Sequence, residues 1–167
     1  MSTFFRAFVL MVIVLQSVQL SGCGFRLRGS ADYPMKQVFI ESVSAPRMAY
    51  VLTRELQNAN LTIAESKNNA EVIVILSHEI LDRRTLSVSS FTGKLEEVEL
   101  NYRIHLSAKK ATGEVLIEPQ LISLLRDYQF EETAVLAKAD EEIMLGEELF
   151  REALVQIMRR LQMLRVG

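Results

Sequence analysis

Residues 97–107 alternate with period two. Val98, Leu100, Tyr102, Ile104 and Leu106 fall on one face, and Glu97, Glu99, Asn101, Arg103, His105 and Ser107 on the other. Successive side chains of a strand point to opposite faces, so this run predicts a strand packed on a core through one side. Its other side meets water or a polar partner. Such a segment needs further strands beside it and a layer over its apolar face. Lys36–Glu41, with Val38, Phe39 and Ile40, reads as a short strand. Glu71–Leu81 reads as another, and its run Val72-Ile73-Val74-Ile75-Leu76 is apolar on both faces, which predicts a central place in the sheet. Thr112-Gly113, within Lys109–Glu114, turns the chain into a fourth strand over 115–128. Pro119 has no N–H for a ladder bond, so that strand is expected at an edge or with a bulge.

Helical spacing appears twice. Ser44-Ala45-Pro46 reads as a helix start, with Ser44 as N-cap and proline near the first turn. Met48, Val51, Leu52 and Leu56 then form one stripe of a helix ending near Asn58–Asn60. Residues 133–165 predict a long second helix through Ile143, Phe150, Leu154, Ile157, Leu161 and Leu164. Its acids crowd the first half and its arginines the second, as the helix macrodipole favours. Gly146 interrupts it, which predicts a kink or a close contact. The order is β-α-β-β-β-α. The expected fold class is α+β, a two-layer sandwich with two helices on one face of a four-stranded sheet.

The start of the chain carries a different kind of signal. Arg6 precedes an apolar run, Ala7–Leu15, too short to span a bilayer, and then Leu20-Ser21-Gly22-Cys23. These four residues resemble a bacterial lipobox. The resemblance implies that residues 1–22 are a signal peptide and are removed. Cys23 would then carry a diacylglycerol and an amide-linked acyl chain such as palmitate, and two or more chains anchor a protein stably. Residues 23–34 read as a lipidated tether, rich in Gly, Ser, Asp and Pro, and 35–167 as a single globular domain. The tether's eleven residues after Cys23, Gly24–Pro34, reach at most roughly 36–40 Å when extended, so the domain is expected close to its membrane. Gly24, where an inner-membrane retention signal has Asp, favours the outer membrane.

With its only cysteine used by lipid, the domain has no disulfide and no thiolate metal site to draw on. A formal net charge of −2 argues against nucleic acid, which usually selects a basic surplus. His78-Glu79 begins like a zinc-protease motif, but the fifth position is Asp82 and the segment is strand-like. His105 lies on the polar face of a strand, where a solvated or interface side chain is expected. No phosphate loop or nucleophile elbow is present, and the acids Glu131, Glu132, Asp140, Glu141 and Glu142 suit a solvated helix start. No enzyme, cofactor or metal is therefore expected.

In an antiparallel meander the 82–96 connection, the end of the fourth strand and the start of the last helix meet at one end of the sheet. That pole collects Arg83, Arg84, Lys94, Arg126 and Lys138 around the tip Phe91-Thr92-Gly93-Lys94. Bases beside an aromatic suit a phosphorylated amphiphile. Scattered, solvated loop charges are the other reading, and the residues alone leave both open.

Four motifs in order behind the lipobox resemble the LPS-assembly lipoprotein family LptE. They are Cys23-Gly24-Phe25-Arg26-Leu27-Arg28, the tip Phe91–Lys94 before Glu99-Leu100-Asn101-Tyr102, Leu136-Ala137-Lys138-Ala139-Asp140-Glu141, and the helix end Ile157-Met158-Arg159-Arg160-Leu161. The resemblance implies an outer-membrane lipoprotein facing the periplasm. It would bind lipopolysaccharide and plug, and help to assemble, the β-barrel (LptD-like) that inserts it. The family's lipopolysaccharide-binding lysine before the last helix falls on Lys138. Its tip base falls on Thr92, with Lys94 two residues on, and Arg126 joins them at the pole. The family's tip aromatic, a partner contact, falls on Phe91. The competing class is a periplasm-facing scaffold or carrier for other lipids or envelope proteins.

Overall fold

The computed structural model describes residues 33–91, 93, 95–131 and 135–165. Its elements are β1 (Gln37–Val43), α1 (Pro46–Asn58), β2 (Thr62–Ile63), a 3-10 turn (Lys67–Asn69), β3 (Val72–Val88), β4 (Leu95–Lys110), β5 (Val115–Gln129) and α2 (Val135–Gln162). One sheet runs in the order β2-β1-β3-β4-β5. β1 lies parallel to β2 and β3, while β3, β4 and β5 form an antiparallel meander.

The expected two-helix α+β arrangement is present, with five strands in place of four. The addition is β2, two residues paired through Gln37↔Thr62 and Val38↔Ile63. A strand so short carries no alternation to read. β3 is central, as its doubly apolar run required. Val72, Val74 and Leu76 join the main core, while Ile73 sits on the opposite face with Ala64 and Ala70, against Phe39 and Ile75. On β4 the alternation is borne out, with Val98, Leu100, Tyr102, Ile104 and Leu106 all buried. Met48, Leu52 and Leu56 of α1 and Leu149, Ala153, Ile157 and Leu161 of α2 complete the same core. Among the described residues no helix is long and apolar enough to cross a membrane.

Three further expectations are corrected or refined. The 82–96 connection is mostly strand: β3 continues to Val88 and β4 begins at Leu95. Cross-strand charge pairs, Arg103 with Asp82 and Arg84 with Glu99, replace the apolar alternation that would have marked the extension. Pro119 is accommodated in both expected ways. β5 is the edge strand, and its register on β4 slips between Leu106↔Gln120 and Ala108↔Ile117. Gly146 lies inside a continuous α2, where a Cβ would meet Leu81 Cδ2 at 3.0 Å, so the glycine marks a close contact.

The correction at Ser44 is the most informative. The cap position of α1 is Ala45, with no side-chain cap bond, and Ser44 sits just outside it in a left-handed conformation (φ 60°). The helix is capped from another strand. The register of β3 on β4 slips between Ser77↔His105 and Ile80↔Arg103, a bulge containing His78 at φ 54°. Ser44 holds this bulge, its Oγ accepting from the His78 N–H at 3.1 Å and its carbonyl from the Glu79 N–H at 3.1 Å. Glu79 is turned toward the helical layer. Its Oε2 accepts from the Met48 N–H of α1 at 3.0 Å, and its Oε1 from the Tyr102 hydroxyl at 2.9 Å. Burial, reinforced by the Glu79 charge, holds the Tyr102 phenol well above its usual range, so it remains a donor. Tyr102 meets the Phe150 ring of α2 edge-on at 6.1 Å. Arg47 of α1 lies 4.0 Å over that ring and reaches Glu147 at 2.6 Å.

Two outcomes follow. Glu79→Ala removes the remote cap and the Tyr102 acceptor together, which should cost about 2 kcal/mol and lower the melting temperature by roughly 6–10 °C; an unchanged melt would disprove the cap. Gly146→Ala gains helix propensity of about 1 kcal/mol. The methyl it meets belongs to Leu81, 47% exposed and free to swing outward. A small rise in melting temperature is expected, and a fall would show that the Leu81 contact is rigid.

Candidate functional site

At the far end of the meander, β3, β4, β5 and the first turns of α2 converge. Arg83, Leu100 and Arg126 are aligned across the three strands, as are Arg84, Glu99 and Asp127. The first row faces α2 and the second the opposite side. Arg83 Nε donates to Glu142 Oε2 of α2 at 3.2 Å and lies 3.4 Å from the Tyr128 hydroxyl. That hydroxyl donates to the same Glu142 oxygen at 2.5 Å. Burial and the Glu142 bond hold the Tyr128 phenol above its usual value. The Arg83 guanidinium also stands 5.7 Å over the Phe130 ring.

The remaining bases at this pole are paired as well. Arg126 reaches Glu152 at 2.9 Å, Arg84 reaches Glu99 at 2.9 Å, and Lys138 reaches Glu141 at 2.8 Å. The Glu141 hydrogen bond holds the Lys138 ammonium above its ordinary value, with the Glu141 and Glu131 charges adding to it. Phe91 stands apart at the hairpin tip, 98% exposed. The turn beneath it closes through the Gly93 N–H and the Ser89 carbonyl at 2.8 Å, with Gly93 at φ 68°, a conformation suited to glycine. Leu86, Val88, Leu136, Ile143 and Met144 are also exposed along the hairpin and the start of α2.

At this pole Arg83, Arg126 and Lys138 lie on the α2 side of the sheet and Arg84 on its other face, with Phe91 open to contact. Thr92 and Lys94 lie outside the described residues, as does the lipidation residue Cys23. What sequence reasoning missed is the identity of the acids. Glu141 and Glu142, read as part of a solvated helix start, pair with Lys138 and Arg83, while Glu152 of α2 pairs with Arg126 and Glu99 of β4 with Arg84. Only Lys138–Glu141 had a readable signal, the i,i+3 spacing of a helical ion pair. The result is a nearly neutral, charge-paired surface carrying apolar side chains. The Arg126–Glu152 pair is exposed on both sides, where an ion pair contributes only about 0–1 kcal/mol.

A second surface is left open by the fold. The polar face of β4 carries Asn101, Arg103, His105 and Ser107, with no helix over it among the described residues. Arg103 Nε and His105 Nδ1 are buried there without hydrogen-bond partners, and His78 meets the His105 ring edge-on at 5.2 Å. Among the described residues no cluster of histidines and carboxylates could hold a metal ion.

The family model for lipopolysaccharide assembly, LptE, matches residues 35–161. The chain belongs to the LptE family. It is similar in structure to lipoprotein B from Nitrosomonas europaea, at 31% identity and a TM-score of 0.70, over 81% of this chain and 88% of that one. The rare lipoprotein B from Shewanella oneidensis matches at 26% identity and a TM-score of 0.63, over 74% and 91% of the two chains. A minor lipoprotein from Acinetobacter baumannii, at 20% identity and a TM-score of 0.60 over 77% and 91%, shares the fold. Comparison with curated proteins finds no significant sequence match. LptE membership makes the chain a lipopolysaccharide-assembly lipoprotein.

Proposed function

We propose that this LptE-family protein is anchored in the outer membrane through Cys23 and faces the periplasm. There it binds lipopolysaccharide at its charge-paired pole and sits within the β-barrel partner that inserts the lipid. It acts by contact and has no catalytic turnover. The observation that carries the partner reading is the uncovered polar face of β4, where Arg103 Nε and His105 Nδ1 lack partners. Buried polar atoms are normally satisfied, so such orphans suit a face completed by another polar surface. The interior of an outer-membrane barrel is polar and offers one. Phe91, fully exposed at the hairpin tip, offers the partner an apolar contact.

For the lipid, Lys138 and Lys94 bind phosphates, Arg126 stands beside them, and Thr92 lines the tip. Exchange is central to the mechanism. A phosphate displaces Glu141 from Lys138, and the released carboxylate turns to solvent, so binding is reversible and suits handing the lipid on. Exposed apolar groups nearby, Leu136 and Ile143 among them, compete with the packing of acyl chains against one another.

Co-purification of the tagged protein from outer membranes should recover a β-barrel protein. Recovery without any barrel protein would favour a scaffold or carrier lipoprotein with other cargo. Lys94→Glu combined with Lys138→Glu should weaken lipopolysaccharide binding by about tenfold while leaving the melting temperature nearly unchanged. Unaltered binding would remove these two lysines from the site.

A further inference from the structure

Every base described at the hairpin pole has a carboxylate partner. At the opposite pole, where β1 and β3 begin and α2 ends, Lys36, Lys109, Arg159, Arg160 and Arg165 form no ion pair with a described carboxylate. A cavity of about 460 Å³ opens there between the first residues of β5 and the last turn of α2. Its size falls within the range of small-molecule sites, about 300–1,000 Å³. Arg160 and Arg165 line it together with Val115, Met163 and Leu164. The Arg160 Nη1 is shielded from solvent and has no hydrogen-bond partner. The carboxylate that reaches the cavity, Glu114, is held by Lys110 at 3.0 Å. Met163 and Val115 are more than half exposed, giving the basic cavity an apolar lip.

We propose that this cavity binds the headgroup phosphate of an anionic glycerophospholipid from the leaflet to which the chain is anchored. Arginine forks match phosphate oxygens in two-point geometry, and an Nη1 already desolvated and unpaired loses no existing bond on binding. The lip of Met163 and Val115 meets the glycerol and the first acyl methylenes. The leaflet as source rests on the anchor proposed above. The described chain begins at this pole, where the Gln162 amide reaches the Tyr33 hydroxyl at 3.4 Å. The ten Cα-to-Cα steps from Cys23 to Tyr33 span at most roughly 33–36 Å when extended. Basic clusters held that close to a membrane are drawn to anionic headgroups.

The test is native mass spectrometry of the full chain, extracted from membranes in a non-ionic detergent and titrated with dihexanoyl phosphatidylglycerol. One bound lipid is expected, with dihexanoyl phosphatidylcholine retained far more weakly. Arg160→Gln with Arg165→Gln should weaken retention by about tenfold. The exposed single change Arg165→Gln, which leaves the packing of α2 intact, should weaken it by about threefold. Arg151→Gln, elsewhere on α2, should have no effect. Equal retention of phosphatidylcholine, or binding that survives the double substitution, would overturn the site. Displacement by millimolar inorganic phosphate would assign it to a free anion, and preferential retention of lipid A lost with the same arginines would assign it to lipopolysaccharide; either overturns the glycerophospholipid. The same spectra report the acyl mass on Cys23, so failure of the anchor and failure of the cavity are read separately.

Discussion

One carboxylate inserted at a strand irregularity joins the layers of this protein. The bulge at His78 turns Glu79 out of the sheet's alternation, where it meets the bare N-terminus of α1 and the hydroxyl of Tyr102. Tyr102 in turn packs on Phe150, over which Arg47 lies. Through this chain of contacts β3, β4, α1 and α2 share one knot, and the helices are positioned by directed bonds as well as by apolar contact. Apolar packing tolerates sliding, whereas hydrogen bonds to a helix terminus do not. The knot therefore sets where α2 lies on the meander, and hence which acids meet Arg83 and Arg126.

The apolar architecture was legible in the sequence because burial imposes a period. Val98 to Leu106 announced the buried side of β4, and Val72 to Leu76 announced a strand covered on both faces, as Ile73 against Ala64 and Ala70 bears out. The polar architecture was not legible, because it depends on partners distant in sequence. Ser44 has the chemistry of a cap and stands beside a helix, yet it serves the bulge while Glu79 serves the helix. β2 is too short to have a pattern. The outer halves of β3 and β4 are held by Asp82–Arg103 and Glu99–Arg84, charges that read as loop when taken one at a time.

The same gap explains the candidate site. A cluster of bases at one pole was readable, but the acids that neutralise it come from α2 and from β4, and two of them, Glu141 and Glu142, were assigned to a solvated helix start. What emerges is a surface of ion-paired bases with exposed apolar side chains nearby, a different device from an anion trap. Lys36, Lys109, Arg159, Arg160 and Arg165, without a described carboxylate partner, gather at the other end of the molecule. The two poles thus differ in electrostatic character although both are rich in arginine and lysine: the bases of one are compensated, and most of those at the other have no described carboxylate partner.

The length of β3 has its own consequence. Seventeen residues of strand, at about 3.3 Å per step, span at most roughly 53 Å, less what the bulge at His78 takes up. Because a one-residue change would reverse every side chain beyond it, the β3–β4 hairpin can lengthen or shorten without a new bulge only in two-residue increments of about 6.6 Å. Relatives that reach deeper or shallower should differ by even numbers of paired residues, or else carry a compensating bulge.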